Sequence, residues 1–257
     1  LGTWELRGRT CARVVEQALK LGYRHIDTAQ IYENEREVGE GLRGSGARRD
    51  EVFLTTKVWT NHFAPNDLER STKDSLARLR QPYVDLLLLH WPNPQVPLTE
   101  TLGALAHAKQ LGLTRHIGVS NFTVALIEEA VAACAEPLVC DQVEYHPYLD
   151  QTKVKAACAQ HEMALVAYSP VARGRIKNDE ALRGIGRAYH KSPAQVCLRW
   201  LVQQNVVAIP RTSRVERLSE NINIFDFELS DDEMQQIHDM HSPKGRLTDF
   251  GFAPKWD

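Results

Sequence analysis

Short apolar runs alternate with amphipathic segments along this chain, and this alternation constrains its fold more than any other feature. Each apolar run has the length and composition of a buried strand, and a segment with helical periodicity follows it. The pair recurs about eight times at a spacing of roughly 30 residues. Within a chain of 257 residues, this pattern predicts an α/β fold consisting of one (β/α)8 TIM barrel domain, residues 1–257.

The predicted strands span residues 1–4, 23–26, 52–59, 84–90, 115–119, 138–143, 164–168 and 206–209. The predicted helices span residues 10–21, 65–79, 99–111, 124–133, 153–161, 179–189, 193–203, 215–223 and 231–241. One further helix, capped by Glu33 or Asn34, ends in the turn at residues 44–46.

A doubly wound sheet is the competing architecture for such an alternation. That fold usually carries a G-x-G-x-x-G phosphate turn directly after its first strand. The nearest match here, Gly44-Ser45-Gly46, follows a helix and has Arg49 at the last position of the motif. The sequence therefore favours the barrel.

The composition argues against several classes of protein. A hydrophobic content of 43% is enough for a full core. The net charge of −2 gives no reason to expect a nucleic-acid or membrane partner. The longest apolar run, residues 84–89, contains Asp85 and is far shorter than the roughly 18 residues that a membrane span needs.

Five cysteines, an odd number without CxxC spacing, indicate reduced thiols in a cytoplasmic protein. No spacing of His, Asp and Glu indicates a metal site. The chain begins at Leu1, partway along a predicted strand, so we expect a short N-terminal piece to precede it.

Polar or aromatic residues follow the apolar runs at the predicted strand ends. In chain order they are Trp4, Asp27, Lys57, His90, Ser120, Asn121, Gln142, Tyr168 and Arg211. Because the strand ends of a barrel converge at its C-terminal face, we expect these side chains to form one site there.

Tyr32 lies near the end of the second predicted strand and is a candidate acid. A phenol is a poor acid near pH 7 unless a fixed cation stabilises its anion. Lys57, held by Asp27, could supply that cation and favour ionisation of Tyr32, although the pair could equally be a structural ion pair at the barrel rim. His90 is either a satisfied core histidine or a neutral imidazole that orients a carbonyl oxygen.

The later strand ends suggest a planar, phosphorylated ligand. Ser120, Asn121 and Gln142 could hydrogen-bond an amide, with helix capping as the alternative for Asn121, and Tyr168 is either core or a platform for a ring. Arg211, Thr212 and Arg217 form a basic-hydroxyl group after the eighth strand, where barrels commonly bind phosphate. Solvated surface arginines are the alternative for this group.

Three stretches carry a resemblance to a known family. The first is Gly22-Tyr23-Arg24-His25-Ile26-Asp27-Thr28-Ala29 with Glu35, Val38 and Gly39. The second is Gly118-Val119-Ser120-Asn121-Phe122, and the third is Ile209-Pro210-Arg211-Thr212 with Arg217, Glu220 and Asn221. On these motifs the chain resembles an aldo-keto reductase from end to end.

The resemblance implies roles for the residues that match. Asp27, Tyr32, Lys57 and His90 would be the catalytic tetrad, in which Tyr32 donates the proton and Lys57, held by Asp27, lowers its pKa. His90 would orient the carbonyl of a small substrate. The implied contacts with NADPH are Gly2, Thr3, Trp4, Ser120, Asn121, Gln142, Tyr168, Ser169, Arg211, Thr212, Arg217, Glu220 and Asn221.

The resemblance also bears on the substrate. Within the family, the tail from Gly245 to Asp257 is similar to that of bacterial 2,5-diketo-D-gluconate reductases, which also reduce aldehydes like methylglyoxal. The implied substrate pocket is lined by Trp4, Tyr32, Trp59, His90 and Trp91, with Phe250 or Phe252 as further candidates. Arg211 stands where the family more often has lysine. Because arginine keeps the positive charge, the resemblance still implies a preference for NADPH. The family is usually monomeric.

Two rival functions are compatible with the sequence. Lys57 could form a Schiff base in an aldolase-like barrel, although Asp27 would keep it charged. Alternatively, the chain could be a nucleotide-sensing binding subunit that holds NADPH but turns over negligibly.

Overall fold

Seven parallel strands form the sheet of this α/β protein, whose computed structural model describes residues 1–257. They are β1 His25–Asp27, β2 Phe53–Val58, β3 Val84–Leu89, β4 Thr114–Ser120, β5 Leu138–Glu144, β6 Ala164–Tyr168 and β7 Val207–Ala208. Each strand pairs with the next one along the chain, in the order β1 to β7. A sequential, all-parallel order of this kind is the strand order of a barrel, as predicted.

Residues 1–3 occupy the eighth strand position and close the sheet. Gly2 forms a parallel bridge with Asp27 of β1, and the Gly2 amide donates to the carbonyl of Pro210, just beyond β7, at 3.0 Å. The predicted first strand is therefore a single bridge, because the chain turns away at Glu5, which has a φ of 58°. A Cβ atom at position 2 would lie 2.9 Å from the carbonyl oxygen of Ile209, so this close approach requires glycine.

Ten helices connect the strands. They are α1 Gly8–Lys20, α2 Glu35–Ser45, α3 Pro65–Leu79, α4 Leu98–Gln110, α5 Val124–Ala133, α6 Thr152–Gln160, α7 Glu180–Tyr189, α8 Pro193–Gln203, α9 Glu216–Ile222 and α10 Asp231–His238. Consecutive helices pack side by side from α1 to α6. The sequence predicted each of them to within three residues at either end, and none is long and apolar enough to cross a membrane.

The start of α2 differs from its predicted capping. Asn34 stands at the N-cap position, but its side chain makes no capping hydrogen bond. Its amide instead donates to the carbonyls of Thr3 and Leu6, at 2.8 and 3.0 Å. Glu33 lies one residue earlier in a left-handed turn. Asn34 therefore fastens the N-terminal segment instead of capping the helix.

The barrel interior is filled by a small cluster of Leu86, Leu88, Cys140, Val166 and Ile209. Alternate residues of a strand point to the same side, so continuing these positions along β3, β5 and β6 leads to His90, Gln142 and Tyr168. The apolar floor of the barrel thereby determines which residues face the interior at its C-terminal end. The five cysteines are free thiols.

Candidate active site

A cleft of about 550 Å³ opens at the C-terminal ends of the strands. It is lined by most of the residues that the sequence singled out, namely Gly2, Thr3, Trp4, Asp27, Tyr32, Trp59, His90, Trp91, Asn121, Gln142, Tyr168, Ser169, Arg211, Thr212 and Arg217. Four predicted site residues, Lys57, Ser120, Glu220 and Asn221, are not part of its lining. The convergence of strand ends predicted from the sequence is therefore present.

Lys57 lies beneath the cleft and is completely buried. Its Nζ is 2.5 Å from Oδ1 of Asp27 and donates to the carbonyl of Thr28 at 2.9 Å. Burial lowers the pKa of Lys57, and the carboxylate of Asp27 opposes this shift. A lysine held in this way is a fixed charge below the cleft wall and not a group that a substrate can reach.

Tyr32 leaves β1 through the short helical turn Gln30–Tyr32, which brings its hydroxyl to 3.4 Å from Nζ of Lys57. Burial raises the pKa of the Tyr32 phenol well above its usual value, and the nearby charge of Asp27 adds to the increase. The lowering of this pKa by Lys57 that the family resemblance implies stays a prediction, since burial is the largest influence on the phenol. The phenol is protonated at neutral pH, which is the state that a proton donor needs.

His90 follows β3 and faces the cleft beside Tyr32. The two ring centroids are 5.5 Å apart, and the ring of Trp59 packs against His90 at 5.3 Å. Burial lowers the pKa of His90 well below its usual value, and the charge of Lys57 contributes in the same direction. The imidazole is therefore neutral, as predicted. Its Nδ1 is buried without a hydrogen-bond partner in the protein, which argues against a fully satisfied core histidine.

The amide side chains in the cleft wall belong to a connected hydrogen-bond network. Asn121 donates from Nδ2 to the carbonyl of His90 at 2.9 Å and accepts from the hydroxyl of Tyr168 at 2.8 Å. Ser120 donates from Oγ to the carbonyl of Gln142 at 2.7 Å and does not reach the cleft. The alternative of Asn121 as a helix cap is wrong, since Thr123 provides the side-chain cap of α5.

A basic group lies at one end of the cleft. Arg211 donates to the carbonyls of Trp4 and Glu5, at 3.0 and 3.2 Å, whereas the guanidinium of Arg217 makes no hydrogen bond within the protein. Beyond this group, Glu220 accepts a hydrogen bond from Ser192, and neither Glu220 nor Asn221 lines the cleft. Their predicted contact with an adenine ring stays a prediction.

A cluster of aromatic rings borders the cleft, of which Trp59, Trp91 and Phe250 line it and Phe252 and Trp256 do not. Trp91 packs edge-on against Phe250 at 5.7 Å and against Phe252 at 5.4 Å. Trp59 contacts Phe252 at 6.0 Å. The ring centroid of Trp256 is also 6.0 Å from that of Trp91. The structure thus brings Trp59 and Trp91 together with both candidate phenylalanines in one aromatic wall, defined as Trp59, Trp91, Phe250, Phe252 and Trp256. The predicted Trp4 is not part of this wall and packs against Arg173.

The model of the aldo/keto reductase family matches residues 1–241 of the chain. The chain belongs to the aldo/keto reductase family. It is 40% identical to the methylglyoxal reductase DkgB of Escherichia coli O157:H7, in a match that covers 100% of the chain and 97% of that protein.

Two solved structures of similar proteins support the assignment to the aldo/keto reductases. One is a putative 2,5-diketo-D-gluconic acid reductase B, 47% identical with a TM-score of 0.98, over 100% of this chain and 92% of that one. The other is the Bombyx mori aldo-keto reductase AKR2E4 in complex with NADP, 32% identical with a TM-score of 0.90. The match covers 96% of this chain and 89% of that one. The (β/α)8 barrel of this family agrees with the closed strand ring described above.

Several residues of this aldo/keto reductase site were missed by reasoning from sequence. Arg173 stacks on the ring of Trp4, 4.7 Å from its centroid, and donates to Oγ1 of Thr248 at 2.8 Å. Both Arg173 and Thr248 line the cleft, as does Arg214. Arg173 and Thr248 come from segments without a strand end, so the pattern that identified the other residues does not extend to them. The arginine-rich stretch after β7 was a visible signal for Arg214.

Proposed function

We propose that this protein reduces aldehydes and ketones with NADPH, using Tyr32 as the proton donor. The observation that carries the proposal is the position of the Tyr32 hydroxyl, which is 3.4 Å from Nζ of Lys57 and on the same cleft wall as the neutral ring of His90. A protonated phenol, a buried cation beside it and a neutral imidazole are the groups that carbonyl reduction needs.

The cleft suits NADPH in its shape and donors. The Arg217 guanidinium has no partner within the protein, so its N–H groups are available to a 2′-phosphate, and Thr212 and Arg214 lie beside it. The ring of Tyr168 lies in the cleft wall, in a position to stack on a nicotinamide. The solved complex of the Bombyx mori relative with NADP is consistent with this cofactor. The chemistry that NADPH supplies when bound is hydride donation to the carbonyl carbon.

The protein's part is to place and move the proton. The N–H of neutral His90 orients the carbonyl oxygen, and Tyr32 gives up its phenolic proton as negative charge develops on that oxygen. The phenolate that remains is stabilised by Lys57, whose ammonium is fixed by Asp27. Solvent then returns the proton to Tyr32. Asp27 and Lys57 thus act on the anion that forms and not on the resting phenol.

The substrate is a small carbonyl compound of the dicarbonyl class, such as methylglyoxal or 2,5-diketo-D-gluconate. Support comes from the names of the two similar proteins, methylglyoxal reductase DkgB and the putative 2,5-diketo-D-gluconic acid reductase B. We further propose a monomeric, cytoplasmic, one-domain enzyme with no nucleic-acid partner. Its five free cysteines and its net charge of −2 are consistent with these statements.

A Schiff base on Lys57 is disfavoured by the same geometry. The amine is completely buried and 2.5 Å from a carboxylate, whereas imine formation requires an accessible, uncharged amine. The position of Tyr32 at the cleft likewise gives no support to a pure binding subunit.

The proposed function is tested by comparing the native chain with Tyr32→Phe. Oxidation of NADPH is followed with methylglyoxal and 2,5-diketo-D-gluconate, and NADPH binding is measured by quenching of tryptophan fluorescence. We expect kcat to fall by about 100-fold or more in Tyr32→Phe while NADPH still binds, because general acid catalysis contributes an effect of that size. A native chain that binds NADPH tightly but reduces no carbonyl compound would refute the enzyme and favour the nucleotide sensor.

A further inference from the structure

The C-terminal segment, residues 242–257, forms no helix or strand, yet it supplies three of the five rings of the aromatic wall. Phe250, Phe252 and Trp256 all pack against Trp91, with ring centroids 5.4 to 6.0 Å apart. Phe250 and Phe252 are about half exposed, so contacts of their own side chains hold them only partly. The position of the segment backbone therefore determines the shape of the wall.

A buried carboxylate holds that backbone at the middle of the segment. Glu144 ends β5, and its side chain is fully buried. Its Oε1 accepts from the amide of Leu247 and its Oε2 from the amide of Thr248, both at 2.7 Å. Oε1 is also 2.8 Å from Nε2 of His146. Burial would raise the pKa of Glu144, but these hydrogen bonds lower it overall, so the group is an anion that only accepts.

Neighbouring contacts show how closely the segment is fitted. A Cβ atom at Gly245 would lie 1.6 Å from the carbonyl oxygen of Tyr148, so the backbone passes directly over that group. Thr248 accepts from Arg173, whose guanidinium stacks on Trp4. Both amides bound by Glu144 thus lie between this tight passage and the first phenylalanine of the wall.

We propose that Glu144 is a positioning residue that sets substrate selectivity by fixing the aromatic wall through the amides of Leu247 and Thr248. The proposal rests on the proposed carbonyl reductase function. Glu144 does not line the cleft, so it acts through the segment and not on the substrate. Charge-assisted hydrogen bonds from two consecutive amides are strong and directional, and no other side-chain acceptor binds either amide.

The proposal predicts a difference between small and large substrates. Methylglyoxal carries one methyl group and is small enough to react at Tyr32 and His90 without contacting the segment. Phenylglyoxal offers the same dicarbonyl group on an aromatic ring, which needs the wall. Replacing Glu144 should therefore weaken binding of phenylglyoxal and leave the reaction of methylglyoxal nearly unchanged.

The test compares Glu144→Gln with the native chain and with Glu40→Gln, an exposed glutamate on α2 that makes no side-chain hydrogen bond. We expect KM for phenylglyoxal to rise about tenfold in Glu144→Gln, the effect of one weakened charged contact, while kcat and the KM for methylglyoxal change less than twofold. Gly245→Ala, which displaces the same backbone without altering Glu144, should reproduce the split.

A second readout does not depend on activity. Trypsin cleavage after Arg246 and Lys255 should be faster in Glu144→Gln than in the native chain and Glu40→Gln, because the segment is released. Unchanged cleavage together with unchanged KM values would overturn the proposal, and so would an equal loss of kcat with both substrates. If the native chain reduces neither compound, the proposed function fails, and the cleavage rates alone decide whether Glu144 holds the segment.

Discussion

Gln142 donates a hydrogen bond of 2.8 Å to Oδ2 of Asp27, across 115 positions of the chain. The other oxygen of the same carboxylate is 2.5 Å from Lys57. A residue predicted to contact a carboxamide is thus also a partner of the proposed catalytic carboxylate. Asp27 has both oxygens occupied, so its orientation, and that of Lys57, is fixed before any ligand arrives.

Asp27→Asn should destabilise the fold. The substitution leaves the ammonium of Lys57 buried without a countercharge, and breaking a buried pair in this way costs about 3 to 5 kcal/mol. We expect the free energy of unfolding in urea to fall by that amount. The double variant Asp27→Asn/Lys57→Met should recover part of the loss, because it removes the unpaired charge as well. A cost below about 1 kcal/mol for the single variant would contradict a dry, paired site.

Arg217→Ala should weaken NADPH binding by about 10- to 100-fold and leave NADH binding within twofold. Its guanidinium is free within the protein, and a charge-assisted bond to a phosphate is of this magnitude. Dissociation constants for both cofactors, measured by fluorescence quenching, provide the comparison. Arg187→Ala on α7, outside the cleft, is the control. An equal loss for NADH and NADPH would show that Arg217 does not contact a 2′-phosphate.

The profile of kcat/KM against pH should be flat between about pH 6.5 and pH 10. The pKa of Tyr32 is raised, so the phenol keeps its proton throughout this window, and the pKa of His90 is lowered, so the imidazole stays neutral. Loss of activity is expected above the window as Tyr32 ionises and below it as His90 becomes charged. A decline centred near pH 7 to 8 would mean that Lys57 lowers the pKa of Tyr32 after all.

Much of this architecture follows from local sequence patterns. The bounds of α3, α5, α8 and β6 agree with their predicted ranges, because proline or a polar N-cap starts these helices and apolar periodicity defines their extent. The strand-end positions of Lys57, His90 and Gln142 followed from the same reasoning, because the ends of barrel strands meet at one face.

The features that local patterns do not predict depend on contacts between distant parts of the chain. The direction of the Tyr32 pKa shift reflects a competition between burial and charge that residue types alone do not decide. The amides of Leu247 and Thr248 bind Glu144, more than 100 positions away, and the backbone at Gly245 passes over Tyr148. A charged residue at the end of the strand Leu138–Glu144 was a usable signal, because a buried carboxylate needs partners.

Asp85→Asn should reduce stability without affecting the active site. Asp85 is the second residue of β3, at the opposite end of the barrel, where it accepts from the amide of Leu54 and pairs with Arg49 at 2.7 Å and Arg115 at 3.0 Å. Both guanidinium groups also stack on the ring of Tyr83, with their central carbons 4.2 and 4.3 Å from its centroid.

Loss of the Asp85 charge leaves two arginines side by side, one of them largely buried. We expect the free energy of unfolding to fall by about 2 to 4 kcal/mol, less than for a fully buried pair because Arg115 is half exposed. Asp74→Asn, at an exposed position of α3 without a side-chain partner, should change the stability by less than about 0.5 kcal/mol. KM for methylglyoxal should remain unchanged in both variants, since this network lies at the far end of the strands from the cleft. A raised KM in Asp85→Asn alone would mean that the two ends of the barrel are coupled.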